Sequence, residues 1–243
     1  MKTLYLLIFT LTSFPSFSQY KYTIEGKFNT DLFGDTDNYS IRDGDLIYLK
    51  FLSSPKTDTA RVKNKSFRFE GESSKPEITM LSVSLQHLGK GPAFGNLLLL
   101  DNCHYDISYK QTSDKFKRVF YDDKISTNSK FYHLWETIGI KKEDYLSKEN
   151  ELKELLESPI NTQNKSLFEK ELTEVRKALD ELYKNAAQEY SGTYEMTYLL
   201  PTDPNFNYER YIAFYNELPE YIRKSYYGEK FYQRLILTKP EHN

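Results

Sequence analysis

One cysteine, Cys103, is all that the 243 residues contain. A single thiol excludes an intramolecular disulfide, a Cys-x-x-Cys redox pair and a multi-thiolate zinc site within the chain. Long apolar runs are missing as well: no stretch approaches the roughly 20 residues that a bilayer span requires. A surplus of either charge is also missing. The 33 Lys and Arg face 35 Asp and Glu, so no electrostatic footprint marks the chain for nucleic acid or an anionic membrane.

What is present begins at the N-terminus. Lys2 supplies a positive charge, Leu4 to Leu11 a short apolar run, and Ser16-Phe17-Ser18 a small-x-small site before Gln19. That layout predicts a secretory signal peptide over residues 1–18, removed to leave a soluble chain in the periplasm or otherwise exported. Removing 18 of 243 residues leaves 225, enough for one large or two small domains. Only Lys2 is lost among the charges, which leaves 32 basic against 35 acidic residues. No cysteine near Gln19 offers a lipid attachment point.

The period of the apolar residues changes halfway along. Tyr20 to Phe28 alternates large apolar with polar residues, as a half-buried strand does. Further strands are predicted at Leu46–Leu52, Thr59–Val62, Ser66–Gly71, Ile78–Leu85, Asn96–Leu100 and His104–Tyr109. A tight turn at Asn64-Lys65 makes a hairpin of two of them. From Phe168 the apolar positions run Phe168, Leu172, Val175, Leu179, Leu182 and Ala186, one seam along a helix, with a capping box at Ser166 and Glu169. Glu143 to Leu156 predicts a shorter helix broken at Ser158-Pro159, and Asn128 to Ile138 another. A helix near Tyr208–Leu218 follows. Pro219 is expected at the first position of a helix that ends before Gly228.

The fold class is thus α+β: an N-terminal antiparallel β-sandwich or half-barrel, then a C-terminal helical module with an antiparallel helix hairpin. The expected bounds are 1–18 for the signal peptide, 19–122 for the β-rich domain and 123–243 for the helical domain.

No residue set selects a reaction. Cys103 and His104 pair a nucleophile type with a base type, but neighbours on a strand point to opposite faces. The other histidines, His87, His133 and His242, lack metal-ligand spacing. The glycine-rich Leu88–Gly95 lacks a Gly-Lys-Ser/Thr end, and Pro92 removes a backbone donor, so a strand-joining loop is expected. Asp35–Asn38 and Asp43-Gly44-Asp45 cluster oxygen ligands, yet their spacing does not match a calcium loop and predicts solvated turns. The charged runs Lys141–Asp144 and Lys148–Glu154 are solvent-facing helix surface. No catalytic, cofactor-binding or metal residue is assigned.

Ile24–Phe28, Gly44–Leu49, Asp58–Val62, Phe67–Gly71 and Asn96–Asp101 in succession resemble an uncharacterised β-rich N-terminal domain. That domain belongs to envelope thioredoxin-like thiol-disulfide oxidoreductases of Gram-negative bacteria. Ala187–Leu199 and Leu218–Gly228 resemble the helical spacer of the same proteins, where a thioredoxin-like domain follows. The Cys-x-x-Cys that carries the family's chemistry is absent from these 243 residues, so no catalytic residue carries over. The expectation is a non-enzymatic exported accessory or binding protein without a cofactor. By the resemblance, its partner is a separately encoded thioredoxin-like oxidoreductase or that enzyme's substrate. The alternative is a glycan- or peptide-binding envelope protein using exposed aromatics, since Tyr and Phe number 21 and 16.

Overall fold

Strand-forming alternation, carried by β-branched and aromatic residues, builds the first half of the protein. The computed structural model describes residues 20–29, 41–84, 92–113, 119–158 and 163–240. The expected signal peptide over 1–18, Asp35–Asn38, His87 and His242 lie outside them. The strands are β1 (Tyr20–Asn29), β2 (Leu46–Phe51), β3 (Thr57–Arg61), β4 (Ser66–Ser73), β5 (Glu77–Ser84), β6 (Pro92–Leu100), β7 (Cys103–Ser113) and β8 (Val119–Thr127). They form two four-stranded sheets, ordered β4-β1-β7-β8 and β3-β2-β5-β6, with every pairing antiparallel except β1 with β7.

Between the sheets lies a core of Ile24, Phe28, Ile47, Leu49, Leu81, Val83, Leu98, Tyr105, Ile107 and Tyr109. On a strand the side chains alternate between faces, so these inward positions leave polar residues on the outside of the first sheet. Burying each such aliphatic or aromatic side chain contributes about 1.5–3 kcal/mol. The outer face of the second sheet is covered at one end by the helices, while Lys50 and Met80 stay exposed. Ile78 and Leu99 point the other way and join the core of the helical half. Strand β5 is therefore buried almost throughout.

The helices are α1 (Lys130–Glu157), α2 (Lys165–Glu189), α3 (Tyr194–Leu199), α4 (Tyr208–Glu217), α5 (Glu220–Arg223) and α6 (Tyr226–Leu237), with a 3-10 turn at Leu200–Thr202. Helices α1 and α2 make the expected antiparallel hairpin, held by Arg176 Nε donating to Glu149 Oε1 at 2.9 Å. The α2 seam serves this internal packing, with Leu179 and Ala186 buried. None of the helices is long and apolar enough to cross a membrane.

Two phenols tie the halves together. Tyr198 Oη donates to Pro76 O at 2.7 Å, and Ile78 N donates to Tyr227 Oη at 3.2 Å. The rings meet edge to face at 4.4 Å. Glu77 is buried beside them, accepting from Ser53 Oγ and lying 3.3 Å from Lys75 Nζ.

Several expectations need correction. The turn at Asn64-Lys65 exists, with φ of 51° and 61°, but its strands part company. Strand β3 belongs to the second sheet and β4 to the first, so the turn is a corner closed only by the Lys63–Ser66 bridge. An eighth strand, not expected, runs to Thr127 across the 122 boundary, and the helices start only at Lys130. The two helices expected over 128–138 and 143–156 are one, because Gly139 costs a helix only about 1 kcal/mol and ends nothing by itself. Ser166 caps nothing: α2 begins at Lys165 with Asn164 in the cap position and no side-chain cap bond. The glycine-rich segment is not a loop through Gly95, since Pro92–Gly95 belong to β6. Pro219 is the cap residue of α5 rather than its first turn, and Gly228 lies inside α6. There the absence of a Cβ lets α6 press against the carbonyls of Ile222 and Arg223.

Candidate functional site

The polar face of the first sheet holds the candidate site. Strand register fixes which side chains sit abreast. Glu25 pairs with Arg68 on β4 and with Asp106 on β7, which in turn faces Ser126 on β8. One step along, Lys27 pairs with Ser66 and Ser108, and Ser108 with Lys124. Two rows thus cross all four strands: Arg68-Glu25-Asp106-Ser126 and Ser66-Lys27-Ser108-Lys124. Together with Arg61 and Lys63 from the β3–β4 corner they line a groove of about 640 Å³, within the usual range for ligand sites.

The charges in this groove do not balance. Glu25 is taken up by the guanidinium of Arg68, which also reaches Glu70 at 3.1 Å. Asp106 lies 3.1 Å from His104 Nε2. Five cations line the groove against these two carboxylates. Among the described residues, Lys27, Lys63 and Lys124 reach no carboxylate. Asn29 Nδ2 donates to Ser108 Oγ at 2.6 Å, which leaves the Ser108 hydroxyl proton free to point into the groove.

Glu25, His104 and Asp106 each offer one ligand atom, all within 4.8 Å of one another. Arg68 already supplies the positive charge that Glu25 needs, and the side chains of His104 and Asp106 are 46 % and 61 % exposed. A cation would have to displace the guanidinium.

The sequence-derived candidates fall elsewhere. Cys103 and His104 do point to opposite faces: the thiol is buried between the sheets, 3.6 Å from Leu99 O, while His104 faces outward. Burial pushes the Cys103 pKa up to about 12, so a thiolate is disfavoured. His133 contacts the carbonyl of Thr127 at 2.9 Å. Asp45 is buried and accepts from Arg42 N at 3.0 Å, so Asp43-Gly44-Asp45 shapes a turn.

Many of the abundant rings are structural: Tyr22, Tyr105, Tyr109, Tyr183, Tyr198, Tyr211 and Tyr227 are all buried. The exposed ones, Tyr221, Tyr226 and Tyr232, lie on α5 and α6, away from the groove. Helix α4 carries a second charged cluster. Arg210 pairs with Asp180 on α2, and its Nε lies 3.0 Å from the fully buried Asp203 without aiming its N–H at that oxygen. Asp203 also accepts from Tyr211 Oη and from Asn205 N. These bonds lock helices rather than face a cavity.

The groove was missed in the sequence because its members are ordinary outward strand positions. Only the register, with the parallel β1–β7 pair at its centre, sets them side by side. The chain matches no family model, no curated protein and no solved structure.

Proposed function

We propose that the chain is a non-enzymatic exported accessory or binding protein of the cell envelope. The observation that carries this reading is the open, cation-rich groove on a sheet face. Sheet register fixes the backbone spacing of these side chains before a ligand arrives, which favours recognition. The buried, proton-holding thiol of Cys103 supports binding rather than thiol chemistry. The resemblance to the N-terminal part of envelope oxidoreductases points to a thioredoxin-like protein, or its substrate, as the protein partner.

The test is recovery of partners from envelope extract by the full chain carrying a C-terminal tag. A thioredoxin-like protein should copurify, and the recovered chain should begin at Gln19 by N-terminal sequencing. Turnover in an insulin-reduction assay by the purified chain would overturn the non-enzymatic reading.

A further inference from the structure

We propose that the groove on the first sheet binds an acidic saccharide, a sugar chain carrying carboxylate, sulfate or phosphate groups; this deepens the binding reading above and rests on it. The argument starts from the row Ser66-Lys27-Ser108-Lys124, in which hydroxyl and ammonium groups alternate across the sheet. Neighbouring strands lie about 4.8 Å apart, so Lys27 and Lys124, two strands from each other, are separated by roughly 10 Å at the backbone. Two anionic groups at that spacing, with sugar hydroxyls between them, would meet one ammonium each. The hydroxyl of Ser108 can donate to what lies between, because its oxygen already accepts from Asn29. Ser66 Oγ points its own proton at Asn64 O, 3.4 Å away, so its oxygen can accept. A sugar hydroxyl both donates and accepts and fits this pair.

Other occupants fit less well. A peptide adding as a strand needs a free sheet edge, and the groove is built on a face. A neutral glycan is ordinarily held by stacking on an exposed Trp, Tyr or Phe ring, and none of these is exposed among the described outward residues here. The two carboxylates do not outweigh the cations, since Arg68 is paired with Glu25 and five cations line the groove. Lys27, Lys63 and Lys124 are left to attract an anion.

The experiment is calorimetric titration of the full chain with a tetramer of hexuronate, beside the neutral hexose tetramer, tetra-aspartate and tripolyphosphate. The hexuronate should bind, more weakly as salt rises, because the contacts are exposed ion pairs. The double variant Lys27→Gln with Lys124→Gln should weaken it at least about tenfold while keeping the wild-type melting temperature. Lys21→Gln, whose partner is Glu72 beyond the groove, should leave it unchanged. No binding of hexuronate, equal binding of the neutral tetramer, or no loss in the folded double variant would overturn the proposal. Equal or tighter binding of tetra-aspartate or tripolyphosphate would overturn the saccharide assignment. Each of these failures leaves partner recovery and the insulin assay to decide the broader reading separately.

Discussion

Phe67 on β4 lies across Gly26 on β1, its ring filling the place that a Cβ on Gly26 would take. Tyr22 and Gly71 repeat the arrangement on the same pair of strands, with the phenol over the glycine. A glycine weakens a strand when nothing covers it, and a cross-strand ring restores the lost packing. The ring of Phe67 also packs near Phe28, Phe69 and Tyr109, so it cannot swing away freely. Gly26→Ala should therefore cost about 1–3 kcal/mol by overpacking, and Phe67→Ala about 3–5 kcal/mol by cavity formation. The double variant should be more stable than the sum predicts, because removing the ring makes room for the methyl. Urea unfolding of the three variants measures this, and strict additivity would contradict it.

The seam between sheet and helices should be sensitive to a single oxygen. Tyr227→Phe strips the acceptor from the buried Ile78 N–H and leaves it unpaired. The expected loss is about 1–3 kcal/mol. Tyr221→Phe, at a ring 66 % exposed, should change stability by less than about 0.5 kcal/mol. Matched thermal melts compare the two.

Arg210 compensates a carboxylate that has no access to water. Removing it in Arg210→Met leaves Asp203 buried with only Tyr211 and Asn205 as partners, and should cost about 3–5 kcal/mol. Adding Asp203→Asn should recover part of that loss, since the uncompensated charge is then gone. Denaturant midpoints of the single and double variants provide the check.

Cys103 should be silent in the native protein. An aromatic disulfide reagent at neutral pH should label it only as fast as the chain unfolds, because the thiol is buried and disfavours ionisation. Rapid stoichiometric labelling under native conditions would contradict the packing. Partner recovery should likewise survive Cys103→Ser.

Burial raises the phenol pKa of Tyr105, Tyr109, Tyr198 and Tyr211. In the unfolded chain these groups titrate near ~10. Above that pH the native state holds more protons than the unfolded one, so stability is full below about pH 10 and falls as pH rises toward the folded values. Parallel alkaline titrations by phenolate absorbance and circular dichroism should show a late ionising fraction appearing together with unfolding. Ionisation of every tyrosine while the dichroism stays native would overturn this.

Local periodicity carried much of the architecture. The alternation of Tyr22, Ile24 and Phe28 and the spacing of Leu172, Leu179 and Ala186 are short-range properties of a sequence. They determined which segments are strands, which are helices and which face of each is apolar. The lone Cys103 determined that no intramolecular disulfide forms among these residues, and its strand position turned it away from His104. Tertiary structure decided the rest, because non-local pairing is chosen by the summed packing of distant segments. It sent β3 and β4 to different sheets, buried the Ile78 end of β5 under Tyr198 and Tyr227, and let Gly139 and Gly228 stay helical. It also laid β1 parallel to β7, which brings Lys27 into one row with Ser108 and Lys124. No window of sequence contains those three residues together, so the groove they form belongs to the fold alone.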